Sequence, residues 1–336
     1  MKVLIAPLNW GLGHATRCIP IIQQHLSKGD EVIIAAEGSP AKLLKEEFPS
    51  LRIVEAPGYN VYYSKSNSQL LAMIRSIPGI LTGALKEHYW LKQLLRKEDF
   101  NKIISDNRFG MFSQHRHCIY ITHQLNIQMP SGLKWLEPFV RFLHRSIIRQ
   151  YNECWVPDFE HTSNLSGRLS HNYPIPANVR FIGPLSRFAS LEIAPDTRFR
   201  TLFLISGPEP QRTLFEDELI VKTNNFQSPI LMVRGVPGNS ELTTLLPSVL
   251  ANKDSTVVNQ QTTREQITIT PHIPGYQLAG YIKGAETIVA RSGYSTIMDL
   301  HALDCLSKVI FVPTPGQTEQ EYLATFHTQS SRRKIK

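Results

Sequence analysis

Residues 291–322, RSGYSTIMDLHALDCLSKVIFVPTPGQTEQEY, restrict the fold more than any other stretch of this chain. An apolar run at 287–290 leads into a small-residue turn at Ser292 and Gly293. The next segment carries Asp299 and places Ile297 and Leu300 three apart, which is helical spacing. A second apolar run, 309–312, ends in Pro-Thr-Pro-Gly and is followed by 317–322. The order is strand, helix, strand, helix, with polar residues wherever a strand ends. In open α/β sheets a ligand sits outside the carboxyl ends of the strands, so Ser292, Gly293, Asp299, Gln320 and Glu321 are expected to face one crevice.

The same alternation opens the chain. Residues 2–7 read as a buried parallel strand, the loop Leu8-Asn9-Trp10-Gly11-Leu12-Gly13-His14 follows, and a helix over 15–28 leads to a strand at 31–36. Gly11 and Gly13 fit the first two positions of G-x-G-x-x-G, but Thr16 stands at the third, so the dinucleotide fingerprint is broken. Glu37, at the end of the next strand, keeps an NAD reading open as a minor alternative. No Gly-Lys-Ser/Thr follows, which excludes a P-loop. Further strands are expected at 52–57, 102–105, 119–122, 154–157 and 179–182, then at 201–205, 230–233, 256–258 and 267–270. Between them lie helices at 39–48 and at 70–95, the latter interrupted at Pro78-Gly79. Asp106 and His123 fall at strand ends on the side of His14; each is a candidate substrate contact, and a structural hydrogen bond is an equal alternative.

These residues resemble the GT-B glycosyltransferases, and most closely those of the MurG-like type (glycosyltransferase family 28), which build the peptidoglycan lipid precursor. The resemblance implies an α/β fold of two Rossmann-like parallel-sheet domains facing a central cleft. The first, 1–185, would hold the acceptor; the second, 186–336, would hold the nucleotide-sugar. It further implies that Asp299, where relatives more often have Glu, holds the ribose hydroxyls, and that Gln320-Glu321 stands where a Gln-Gln pair reaches the donor sugar. Ser206 and Gly207 match a turn that binds donor phosphates through backbone N–H groups, although Pro208 and Pro210 offer none. Arg187 is expected near the phosphate, Ile273 beside the base, and Gly13, Ser292 and Gly293 where helix starts meet the diphosphate.

The activity so implied is inverting, metal-independent transfer of an N-acetylhexosamine or hexose from a nucleotide diphosphate donor, UDP first, to a hydroxyl acceptor that includes lipid-linked ones. The base is His14, with Asp106 second. No Asp-x-Asp pair of the metal-bridging kind occurs, and Glu216-Asp217-Glu218 reads as an exposed helix face. No cofactor is expected, the nucleotide-sugar being a substrate. A sugar-nucleotide 2-epimerase and a non-catalytic donor-binding subunit of a two-part transferase share the architecture and stand as alternatives.

Composition bounds the partners. The 336 residues suit two domains, and 42% apolar with 19% charged residues describes a globular chain. The four cysteines are widely spaced, as buried thiols in a reducing cytoplasm would be. No segment approaches the roughly 20 uninterrupted apolar residues of a membrane span. Of the net charge of +8, much is the tail Arg332, Arg333, Lys334 and Lys336, and no nucleic-acid motif accompanies it. Residues 135–151 combine Arg141, Arg145 and Arg149 with Leu136, Phe139, Val140, Leu143 and Ile147. Such a helix suits peripheral contact with the inner face of the membrane, in a cell-envelope role; a core helix with a solvated Arg face is the equal alternative.

Overall fold

A computed structural model of the chain describes residues 1–59, 69–236, 243–245 and 267–334. The tyrosines at 62 and 63, the strand expected at 256–258 and the last two residues of the tail lie outside these.

The first domain is a seven-stranded sheet in the order β3-β2-β1-β4-β5-β6-β7. Its strands are β1 (Lys2–Pro7), β2 (Glu31–Ala35), β3 (Arg52–Val54), β4 (Lys102–Asp106), β5 (His117–Ile121), β6 (Glu153–Val156) and β7 (Val179–Phe181), and every pairing is parallel. Apolar residues on consecutive positions let both faces be covered. On one face Leu4, Ile33, Ile103 and Tyr120 pack with Leu91 of α3 (Gln69–Lys97) and Ile148 of α4 (Glu137–Ile148). On the other, Val3, Ile5, Ile34 and Ile119 pack with α1 (Gly13–Ser27) and α2 (Gly38–Glu47).

The second domain repeats the scheme in the order β10-β11-β9-β8-β12-β13. These are β8 (Thr201–Leu204), β9 (Ile230–Val233), β10 (Thr243–Leu245), β11 (Ile267–Thr270), β12 (Thr287–Ala290) and β13 (Val309–Phe311). All pairs are parallel except β10 with β11 at the edge. Its helices are α5 (Gln211–Val221), α6 (Gly275–Gly284), α7 (Tyr294–Ala302) and α8 (Thr318–Lys334).

Three expectations change. The helix expected to break at Pro78-Gly79 runs unbroken through Pro78, which removes a single backbone N–H; the Thr82 hydroxyl donates to the Pro78 carbonyl at 2.9 Å. The final helical segment, placed at 317–322 from the sequence, is the 17 residues of α8, and it crosses back. Leu323 joins Leu165, Leu169, Ile297 and Met298 in an interdomain cluster, and His327 Nε2 lies 2.9 Å from the Leu165 carbonyl. The helix expected over 135–151 divides into a 3-10 turn (Ser131–Leu136) and α4. On α4 His144 and Ile148 face the core, whereas Phe139, Phe142 and Leu143, and Trp135 of the preceding turn, are exposed. A core helix with only an Arg face in solvent does not describe it. Arg141 lies over the Tyr173 ring and Arg145 donates to the Pro174 carbonyl, so two of the three arginines are anchored locally.

All four cysteines are buried free thiols. No described helix is long and apolar enough to cross a membrane.

Candidate functional site

The site forms where strand ends of both domains meet two helix starts. In the first domain Asp106 ends β4, in register with Pro7 of β1 and Ile121 of β5. That register sets the Asp106 carboxylate under the first turns of α1. His14 and Arg17, three apart on α1, share the face that meets it. Arg17 grips the carboxylate with two nitrogens: Nε donates to Oδ2 at 2.5 Å and Nη2 donates to Oδ1. His14 Nδ1 lies 3.1 Å from Oδ1 and 2.8 Å from Arg17 Nη2. Arg17 Nη1 lies 3.2 Å from Nδ1 of His123, just beyond β5.

Arg17 and Asp106 are withdrawn from solvent, while the His14 ring is at the cleft surface with 12% of its side chain exposed. Burial alone would raise the Asp106 pKa, but Arg17 and then His14 outweigh it and hold the carboxyl well below the usual range. Burial and then the Arg17 charge lower the His14 pKa against the pull of Asp106, so the ring stays neutral at neutral pH. Asp106 is therefore a poor proton acceptor. Asp106, the second candidate base, is closed off and paired twice to a guanidinium, with His14 beside it.

In the second domain Gly293 caps α7, whose first-turn N–H groups have no intrahelical acceptor. This helix start faces that of α1. Ser295 Oγ donates to the Gly13 carbonyl at 2.9 Å, and a Cβ on Gly13 would lie 2.8 Å from that oxygen, so glycine is what permits the approach. Beside this contact opens a cavity lined on one side by Gly13 and Thr16, on the other by Ser206, His272, Thr296 and Asp299, with Arg187 at the domain connection. Asp299 Oδ1 accepts from Ser186 Oγ at 2.6 Å, and Oδ2 lies 3.7 Å from Arg187 Nε. Burial raises the Asp299 pKa above the usual carboxylate value, with Arg187 and Ser186 opposing it.

Of the residues expected from the sequence, Gly13, Arg187, Ser206 and Asp299 line the cavity together. Gly207 adjoins it with φ of 114°, a conformation that favours glycine. Glu209, an awkward neighbour for phosphate, is held by Arg212 and Thr213. Ile273 turns its side chain into the core, next to the cavity-lining His272. Ser292 is buried and donates to the Gln320 carbonyl at 2.7 Å. Gln320 and Glu321 do not reach the cavity: Gln320 accepts from Thr314 N and donates to Gln317, and Glu321 accepts from Gly316 N. Arg291 is likewise structural, donating to the Val312 and Pro313 carbonyls over the Phe215 ring. Glu37, the acid of the NAD reading, accepts from Asn9 at 3.3 Å, away from this cavity.

Two residues of the site escape sequence reading. Arg17 is one; its signal is a lone cation within the buried run Ala15–Ile19 of α1. The other is Glu319, which crosses from the second domain: His123 Nε2 lies 2.6 Å from its Oε1, and Gln124 Nε2 donates to its Oε2. The His123 ring also stacks on Tyr294 of α7, centroids 4.3 Å apart. Among the described residues no three His, Cys, Asp or Glu side chains converge as metal ligands.

No family model matches the chain. Two curated relatives from Methanosarcina acetivorans, both described as uncharacterized glycosyltransferases, are 23% identical over 351 and 348 residues. The matches cover 96% and 97% of this chain and 82% and 81% of theirs. Among solved structures, the glycosyltransferase SnogD from Streptomyces nogalater matches with a TM-score of 0.52 at 12% identity, over 99% of this chain and 95% of that one. The spinosyn rhamnosyltransferase SpnG, complexed with thymidine diphosphate, gives 0.52 at 12% over 99% and 90%. Arabidopsis thaliana UGT89C1, complexed with UDP-L-rhamnose, gives 0.52 at 12% over 98% and 82%. The fold of this chain is the GT-B architecture, two Rossmann-like domains about a cleft.

Proposed function

We propose that the chain is an inverting glycosyltransferase that moves a hexose or N-acetylhexosamine from a pyrimidine nucleoside diphosphate, UDP first and TDP second, to a hydroxyl acceptor. One observation carries the reading: a histidine at the cleft surface, backed by a buried carboxylate, stands next to Gly13 at the start of α1, and across the cavity that Gly13 lines stand the first turn of α7 and Asp299. Full-length likeness to two chains described as glycosyltransferases supports it.

In this mechanism Nε2 of His14, in the tautomer that carries its proton on Nδ1, takes the acceptor hydroxyl proton as the acceptor oxygen bonds to the anomeric carbon. The bond from that carbon to the diphosphate oxygen breaks on the opposite face, and its electron pair leaves with the nucleotide. Charge growing on the diphosphate is met by the N–H groups at the starts of α1 and α7, by Ser206 and by Arg187. Asp299 holds the ribose. These donors are disposed to carry that charge without a bridging metal. The exposed Trp135, Phe139, Phe142 and Leu143, flanked by arginines, suit an acceptor presented at an anionic membrane surface, as the MurG-like resemblance implies.

Thermal-shift screening with UDP, TDP, GDP and NAD identifies the donor, and nucleotide release with a panel of alcohol acceptors then measures transfer. His14→Ala is expected to lower turnover by roughly 10²–10⁴-fold while leaving nucleotide binding intact. Stabilisation by NAD alone would sink the proposal. Isomerised donor in the absence of acceptor would point to an epimerase, and tight donor binding without turnover to a binding subunit.

A further inference from the structure

His14 Nδ1 is asked to satisfy two neighbours of opposite demand. Asp106 Oδ1, 3.1 Å away, can only accept, so it needs a proton on Nδ1. Arg17 Nη2, 2.8 Å away, can only donate, so it needs a lone pair there. One nitrogen cannot do both. The choice fixes the other nitrogen: Nδ1–H leaves Nε2 free to act as a base, whereas a lone pair on Nδ1 puts the proton on Nε2. Arg17 is the nearer neighbour, and it already neutralises Asp106 with two of its nitrogens. The groups facing His14 are thus Asp106 from β4, Arg17 on its own helix and His123 beyond β5, with Glu319 behind His123 and Cys18 against Asp106.

Arg17 is itself held from across the cleft. Its Nη1 points at His123 Nδ1, which must therefore carry the lone pair. His123 Nε2 then carries the hydrogen and donates to Glu319 Oε1 at 2.6 Å. Glu319 belongs to α8, anchored where the Thr318 hydroxyl donates to the Gln128 carbonyl at 2.9 Å. The His123 ring is clamped flat against Tyr294 of the second domain.

We propose that Arg17 is a positioning residue that sets the tautomer of His14. Glu319, acting through His123, holds Arg17 where it keeps the proton on Nε2. The basicity of His14 is then coupled to a contact between the two domains: releasing Glu319 lets Asp106 claim Nδ1–H and frees Nε2. The consequence for catalysis rests on the base role proposed for His14; the tautomer itself does not.

Nitrogen-15 NMR of the histidine-labelled full chain at neutral pH reads this directly, with the His14 signals assigned by their loss in His14→Gln. Wild type is expected to show Nε2–H. Arg17→Lys keeps the charge for Asp106 but cannot bridge three partners, and should shift the tautomer ratio toward Nδ1–H by roughly tenfold or more, the scale of one charge-assisted hydrogen bond. Glu319→Ala, at a partly exposed position, should shift it the same way by a smaller factor and serves alone if Arg17→Lys does not fold. Nδ1–H in the wild type, or a ratio unmoved by Glu319→Ala, overturns the proposal. No substrate enters the measurement, so a chain without transferase activity would refute the functional reading and leave this one standing.

Discussion

Asp106 and Asp299 are carboxylates on opposite sides of the cleft, and they are held in opposite ways. Asp106 is sealed in, gripped by both Nε and Nη2 of Arg17, and kept ionised. Asp299 keeps 14% of its side chain exposed, meets Arg187 only at 3.7 Å, and is pushed toward protonation by burial. The difference separates two tasks. In the roles proposed above, a group beneath the base holds its partners before substrate arrives, whereas a group that binds a ribose must keep an oxygen for it. Preorganisation is concentrated in the first domain and availability in the second.

Asp106→Asn strikes the fixed side hardest. It strands the Arg17 cation among buried groups and should destabilise the chain by roughly 3–5 kcal/mol in urea unfolding. Asp299→Asn should cost about 1 kcal/mol or less in the same experiment, since its ion pair is long. Equal losses would break the comparison.

A third buried carboxylate sharpens it. Glu87 pairs with Arg108 in the same domain, yet burial pushes its pKa up to about 7. Arg108 gives it one nitrogen at 2.8 Å and shares its donors with the Pro7 and Pro57 carbonyls, so compensation is weaker than Arg17 gives Asp106. A carboxyl whose folded pKa lies above its unfolded one favours the fold while protonated. That contribution is complete below pH about 4.5 and is lost as pH rises through about 7, by roughly 3 kcal/mol. Unfolding free energies measured from pH 4.5 to 8 should carry this slope, and Glu87→Gln should flatten it. A slope unchanged in that variant would assign it elsewhere.

The scaffold was the more legible part of the sequence. Buried parallel strands must be apolar on consecutive positions, so the central strands β1, β2, β4, β5, β8 and β9 show as short apolar runs. The turn chemistry at Gly13, Ser206 and Gly293 marked the cleft for the same reason. Pro78 misled because one missing N–H need not end a long helix. The pairings of the site were not legible. His14, Asp106 and His123 could be named from strand and helix ends, but the lone cation Arg17 in the first turns of α1 gets its partner only when the Pro7–Asp106 register puts a carboxylate beneath it. The side chain of this stretch that enters the cleft is Glu319, one residue before the Gln320-Glu321 pair, because α8 begins at Thr318 and its first turn sets which residue faces inward.

Calorimetric titration of UDP into wild type and Asp299→Asn, beside the same titration with 2′,3′-dideoxyuridine diphosphate, tests the donor site most directly. Binding to the wild type, about tenfold weaker in Asp299→Asn, with the dideoxy analogue weakened alike in wild type and indifferent to the substitution, is the expected result. Failure of the wild type to bind the nucleotide, or equal affinity in Asp299→Asn, would contradict it.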